Sequence, residues 1–244
     1  MKTLSKKIEN IAKDNQNDFL LTVGGDHSIG SATISGMLSR HPNLKVIWVD
    51  AHADMVDPSL RIRDPYNYHG MPLSHVAGIF KLNGFEWMNL LPKENIVLIG
   101  IRDIEEGEFQ TIMNHNIKAF TMDHVDKYGI GNVMKQAIEY LDPRGDAPFH
   151  ISFDVDGLDP DVFNQTGTLF RYGLTPREGC HIIRRVAHER RLVSLDLVEV
   201  NSQINSSGLK RPKYREEEHY HDVSHSIGIG IVLIESVFTS NQTI

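Results

Sequence analysis

Cysteine is almost missing from this chain. Cys180 is the only one, which excludes an intramolecular disulfide framework and a cysteine-based zinc site and fits a reducing compartment. Apolar runs approaching the roughly 18–20 residues of a membrane-spanning helix are also absent. The N-terminus carries Lys2, Lys6 and Lys7 without an apolar core or a small-residue cleavage site, so no secretory signal is read and the cytoplasm is the expected location. Basic charge is not in excess. The chain has 25 Lys+Arg against 32 Asp+Glu, a net charge of −7, which argues against a nucleic-acid partner. No internal repeat or low-complexity segment is present.

What is present suits a folded α/β domain. Of 244 residues, 40% are hydrophobic, enough for a sizeable core, and a single domain over residues 1–244 is expected. Short apolar runs alternate with helical patterns from end to end. Strands are read at Phe19–Val23, Val46–Val49, Asn95–Gly100, Ile117–Phe120, Phe149–Phe153 and Leu192–Val200. Helices are read at residues 4–13, Gly30–Ser39, Asp123–Leu141 (broken or kinked at Gly129 and Gly131) and Thr175–Arg190, and again from Tyr214 onward. Thr175 and Pro176 make a natural N-cap and first helical residue. Alternation of this kind predicts a mostly parallel, doubly wound sheet with helices on both faces.

The polar residues of interest fall where such strands end. His27 follows the first strand, Asp50, His52 and Asp54 the second, Asp154 and Asp156 the fifth, and Glu199 the last. In parallel α/β sheets ligands gather beyond the carboxyl ends of the strands. Each motif alone has a plain structural reading: aspartates cap turns and helices, and a single histidine is usually a satisfied packing residue. Together on one rim they call for cations. Two carboxylates about 4 Å apart repel by about 4 kcal/mol at a typical effective dielectric, and two divalent ions neutralise four carboxylates. Oxygen-rich ligation with two imidazoles suits manganese better than structural zinc. Two metals that share and acidify a water predict hydrolysis by a bridging hydroxide. Glu105, Glu106 and Glu108 are read as favourable charges in a first helical turn. Cys180 is read as a packing residue. His219, His221 and His225 are read as a solvated helix start, and Arg184-Arg185 with Arg190-Arg191 as a solvated helix face.

Three segments carry a family resemblance: Gly24-Gly-Asp-His-Ser28, Asp50-Ala-His-Ala-Asp54 and Ser152-Phe-Asp-Val-Asp-Gly-Leu-Asp-Pro160. They resemble the signatures of the ureohydrolases, the arginase and agmatinase family, and the likeness extends from about residue 5 to about residue 205. His69-Gly-Met-Pro-Leu-Ser74, Ile101-Arg-Asp103 with Gly107-Glu108, Thr166-Gly-Thr168 and Val198-Glu-Val-Asn201 resemble the arginase side of the family. The resemblance implies an arginase-like three-layer α/β/α fold and two Mn2+ per chain. His27, Asp50, Asp54 and Asp154 would hold one ion; Asp50, His52, Asp154 and Asp156 would hold the other. It also implies that Asp54 hydrogen-bonds the hydroxide, Glu199 orients a guanidinium and His69 shuttles a proton. Asn67, Thr168 and Glu105 would read the amino-acid end of the substrate. The implied reaction is hydrolysis of L-arginine to L-ornithine and urea. The implied partners are a small guanidino substrate and, by resemblance, two further copies in a trimer, without nucleic acid or membrane.

The chain departs from the family pattern at several places. Val56 stands where arginases carry an Asn that helps bind the substrate carboxylate, Pro65 where a serine is expected, and Glu105 where an Asp is. Only 23 residues precede Gly24, whereas family members have two further edge strands there, so Phe19–Val23 is expected to be an exposed edge. A fragment, an incorrectly assembled gene, a shortened isoform, or a chain that pairs this edge with a partner would each account for it. Agmatine or another guanidino acid is the alternative substrate. A catalytically weak binding or regulatory protein on the same scaffold is the alternative class.

Overall fold

The computed structural model describes residues 1–14, 18–60, 67–189, 191–202 and 216–239, with side chains of the last segment from Ser224. Pro65, Arg190, His219 and His221 lie outside the described side chains. The elements in chain order are α1 (Lys2–Asp14), β1 (Leu20–Val23), α2 (Ile29–Leu38), β2 (Lys45–Val49), α3 (Pro72–Val76), β3 (Ile96–Ile101), α4 (Glu106–Asn114), β4 (Lys118–Thr121), α5 (Met122–Tyr128), α6 (Ile130–Leu141), β5 (Phe149–Asp154), α7 (Pro176–His188), β6 (Leu192–Val198) and α8 (Glu216–Phe238).

The six strands form one parallel sheet in the order β1-β6-β5-β2-β3-β4. This is the doubly wound α/β class expected from the alternation of elements. Every residue of β2, β3 and β5 is buried, as expected where helices cover both faces of a sheet. Side chains alternate between two cores. Ile47, Val49, Ile151 and Phe153 face the side of α5, α6, α7 and α8, while Val46, Trp48, Ile96 and Leu98 face α1, α2 and α3. At β1 the sheet ends on β6, and Val23 is exposed there.

Helix α2 is buried along almost its whole length, which its small residues permit. A Cβ at Gly36 would come within 2.7 Å of Ile8 on α1, and one at Gly30 within 2.8 Å of the Trp48 indole. Capping follows the sequence at α7, where Thr175 and Glu178 form a reciprocal capping box. The expected break falls at Gly129, with φ 73°, between α5 and α6, whereas Gly131 continues inside α6.

One expectation is corrected. Arg191 is not on a solvated helix face. It follows α7, ion-pairs with Asp142 and Glu189, and lies over the Phe149 ring at 4.9 Å. Its guanidinium satisfies a carboxylate at the bottom of the sheet, a role fixed by packing rather than by helical spacing. No helix among the described residues is long and apolar enough to cross a membrane.

Candidate metal and substrate site

The chain moves outward from β2 through β3 to β4, then returns to place β5 on the other side of β2. The reversal makes a topological switch point between β2 and β5, the place where open α/β sheets form crevices. Register does the rest. Val49 pairs with Phe153, so Asp50, immediately after β2, stands beside Asp154 at the end of β5. His27 arrives from the turn after β1 and Glu199 from the end of β6.

Two groups of potential ligands result: His27, Asp50 and Asp154 form one, and Asp50, His52 and Asp156 the other, with ligand atoms within 4.8 Å of one another in each. Asp50 belongs to both. His27 Nδ1 lies 3.0 Å from Asp50 Oδ2, 3.3 Å from Asp54 Oδ2 and 3.2 Å from Asp154 Oδ2. His52 Nδ1 lies 3.3 Å from Asp50 Oδ1 and 3.1 Å from Asp156 Oδ2. The second ring nitrogen of His27 reaches Ser152 Oγ at 2.9 Å, which leaves Nδ1 to face the carboxylates. Asp54 is thus beside His27, and Asp154 groups with His27 rather than with His52. Asp54 and Glu199 both hold positive φ, 51° and 61°, a backbone conformation that costs energy in non-glycine residues and clusters at functional sites.

The electrostatics fit cations. Burial, reinforced by Asp50, raises the pKa of Asp54 well above the usual carboxylate range. Burial, with Asp156 and Asp50 adding repulsion, does the same to Asp154, and burial with Asp50 pushes Asp156 to about 6. Asp50 moves the other way: burial opposes its ionisation, but hydrogen bonds with His27 and His52 hold its pKa low. Buried carboxylates this close are uncomfortable as anions, and divalent cations relieve that repulsion. The donor set, oxygen-rich with two imidazoles, is one that manganese accepts.

Above these groups lies a cavity of about 210 Å³, whose lining includes Val56, Asn67, His69, Glu105, Glu108, Thr168 and Glu199 and, of the ligand candidates, all but Asp50, which lies beneath them. Glu199 Oε1 accepts a hydrogen bond from the His27 backbone N–H at 2.8 Å. His69 sits on a single 3-10 turn, Tyr68–Gly70, with Asn67 at its start. The structure therefore brings every candidate named from the sequence to one site.

It also brings to the site four residues that the sequence does not single out as site residues. Glu108 caps α4 as expected, accepting from the Glu105 N–H at 3.1 Å, but it is buried, also accepts from the Met55 N–H at 3.2 Å and faces the cavity. Burial raises its pKa to about 7. Asp103 lies 3.6 Å from His52 Nε2. Trp48 donates its indole N–H to Asp50 Oδ2 at 3.0 Å. Arg102 donates to the carbonyls of Gly100, Asp156, Gly157, Leu158, Phe170 and Arg171, tying the turn after β5 to the end of β3. Arg102-Asp103 and Gly107-Glu108, inside family-like segments, carry a sequence signal; the burial of Trp48 against Asp50 and His27 is marked by nothing local.

Fold and site together define a parallel α/β protein with a carboxylate- and imidazole-rich candidate cation site at its switch point. A model described as the arginase family matches residues 1–211, and the chain belongs to that family. It is 43% identical over 192 residues to an arginase of Glaciozyma antarctica (76% of this chain, 55% of that one) and 44% identical over 213 residues to an arginase of Staphylococcus aureus (84% and 66%). Among solved structures it resembles the arginase of Bacillus cereus, with a TM-score of 0.83 and 31% identity, covering 100% of this chain and 77% of that one. The chain therefore spans between half and two thirds of the length of the curated relatives it matches.

Proposed function

We propose that the chain is a manganese-dependent ureohydrolase that converts L-arginine to L-ornithine and urea. The observation that carries this reading is the pair of ligand groups sharing Asp50 on the floor of a cavity whose walls bear Glu199 and His69. His27, Asp50, Asp54 and Asp154 would hold one ion, and Asp50, His52, Asp154 and Asp156 the other. Bound there, the two ions supply the acidity that makes water nucleophilic at neutral pH.

The protein groups do the rest. Asp54, beside His27, accepts a hydrogen bond from the attacking water and aims it. Glu199, already held by the His27 N–H, offers its free carboxylate oxygen to the planar cationic guanidinium, which prefers such a partner. Water adds to the guanidinium carbon. As the carbon–nitrogen bond to the amine side breaks, His69 delivers a proton to the departing nitrogen. Asn67, Thr168 and Glu105 stand on the cavity wall where the amino-acid end of the substrate would lie, and Glu108 offers a second carboxylate for an α-ammonium group.

Val56 supports a second substrate reading. It is an apolar wall of the cavity, 5% exposed, at a place where a substrate carboxylate would want a donor, which favours agmatine or another guanidino compound. The deciding experiment is urea release from L-arginine and from agmatine by manganese-loaded protein, with metal content measured on the same sample. About two manganese per chain and urea from arginine support the first reading, and urea from agmatine alone supports the second. Metal without urea from any guanidino compound supports a binding protein on the same scaffold. A folded chain that takes up no manganese removes the enzyme reading.

A further inference from the structure

His69 is held by a short turn, and its ring has no hydrogen-bond partner among the described residues. Its direction is therefore set by the backbone around it, and the neighbouring side chain, Tyr68, is fixed unusually well. The Tyr68 hydroxyl lies 2.7 Å from His75 Nδ1 on α3 and 3.0 Å from Ser31 Oγ on α2. Ser31 in turn donates to the Ser28 carbonyl at 3.0 Å. Because the Ser31 proton is committed to Ser28, one arrangement satisfies every group: His75 Nδ1–H donates to Tyr68, Tyr68 donates to Ser31, and Ser31 donates to Ser28. Burial keeps the imidazole of His75 neutral, lowering its pKa to about 4, so the donation from Nδ1 identifies it as the Nδ1–H tautomer. The Tyr68 ring is stacked on Phe85 at 5.7 Å and meets His75 edge to face at 5.6 Å. His75 is itself stacked on Phe80 at 4.9 Å. The chain of hydrogen bonds ends one residue after His27, a ligand candidate.

We infer that Tyr68 is a positioning residue for His69: its phenol pins the 3-10 turn to α2 and α3, so that the imidazole one residue on faces the ligand groups. Backbone contacts complete the clamp on the other side. The Met71 N–H donates to the Tyr68 carbonyl at 3.0 Å, the Val56 N–H donates to the Gly70 carbonyl at 3.2 Å, and Ser74 Oγ donates to the Val56 carbonyl at 2.6 Å. Without the phenol contact, the turn keeps these bonds but loses its tie to α2. A small shift of a proton donor is enough to slow a reaction severely.

This inference rests on the proposed hydrolysis for its kinetic test, which is a double-mutant cycle with Tyr68→Phe and His69→Ala. Tyr68→Phe retains the ring packing and removes only the hydroxyl. The expected result is kcat lowered about tenfold with KM within about twofold, manganese content unchanged, and no further loss when Tyr68→Phe is added to His69→Ala. Equal loss in both backgrounds, or no loss in either, overturns the inference. Ser31→Ala removes the acceptor at the far end of the phenol contact and serves if Tyr68→Phe does not fold; it is expected to show the same coupling to His69. Amide hydrogen exchange of the manganese-loaded protein gives a readout independent of turnover. Residues 67–71 should exchange about tenfold faster in Tyr68→Phe, with β2 and β5 unchanged. Should the wild type release no urea, the hydrolase reading fails, while this exchange measurement still decides the role of Tyr68: unchanged exchange overturns it.

Discussion

The imidazole of His27 lies flat on the indole of Trp48, with ring centroids 3.8 Å apart and planes 8° from parallel. The same indole donates its N–H to Asp50 Oδ2, the oxygen that His27 Nδ1 approaches at 3.0 Å. Trp48 therefore fixes the plane of one ligand candidate and the direction of another. Groups behind metal ligands typically alter affinity by 10–100-fold. Trp48→Phe keeps a stacking surface and removes the donor. It is expected to weaken manganese binding by about tenfold or more while the protein still folds. Competition with a chelator, read alongside circular dichroism, checks it; unaltered affinity would show that the indole only packs.

Asp50 belongs to both ligand groups, whereas His52 and Asp156 belong to one. Asp50→Asn should therefore abolish uptake of both ions, and Asp156→Asn of one. Elemental analysis after dialysis reads the number directly. Chelation of the wild type should also lower its unfolding temperature, since a ligand at 1,000 times its dissociation constant stabilises a fold by about 4 kcal/mol. Equal stoichiometry in the two variants would contradict the shared position of Asp50.

Glu108 gives the metal-free protein a pH dependence whose sign can be worked out. In the fold its proton is held to about pH 7, against a reference of 4.5 when unfolded, because burial opposes the charge. Between those values the folded chain binds more protons than the unfolded one, so this group's contribution is full below the lower value and lost as pH rises through the upper. The loss amounts to about 3 kcal/mol. Other carboxylates titrate in the same range, so the measurement is a difference. The stability of wild type minus that of Glu108→Gln, from urea titrations, should fall between pH 4.5 and pH 8. A flat difference would mean that Glu108 stays ionised in the fold.

Arg102 holds six carbonyls: that of Gly100 in β3, those of Asp156, Gly157 and Leu158 in the turn that presents Asp156, and those of Phe170 and Arg171. A lysine keeps the charge but has neither the planar fork nor enough donors. Arg102→Lys should cost about 2 kcal/mol or more in stability, because buried carbonyls lose partners, and should weaken the ion held by His52 and Asp156 more than the one held by His27. Thermal unfolding and metal titration test both parts. Equal weakening of the two ions would place the effect in the whole fold rather than in that turn.

Much of the fold was legible because its signals are local. Apolar runs marked the strands to within a residue or two at most ends, Thr175 and Pro176 marked the start of α7, and Gly129 marked the break between α5 and α6. The candidate ligands were legible for a related reason: strand ends are readable, and in a parallel sheet strand ends share a rim. Arg191 was misread because its partners, Asp142, Glu189 and Phe149, converge on it only through packing at the foot of the sheet. Glu108 was read as a cap and is one, but its second role depends on the Met55 N–H, which approaches from a different loop.

The sequence by itself therefore determined the alternation of elements, the parallel class and the set of carboxylates and imidazoles at the strand ends, because period, capping and turn chemistry act within a few residues. Tertiary structure alone decided that β5 returns beside β2, that Asp50 is shared by two groups of ligand candidates, and that Trp48, Arg102 and Tyr68 stand behind them. Apart from short-range contacts such as Trp48 with Asp50 and Tyr68 with His75, those relations join residues from about 20 to more than 100 positions apart, and strand order and side-chain packing, which no local pattern encodes, bring them together.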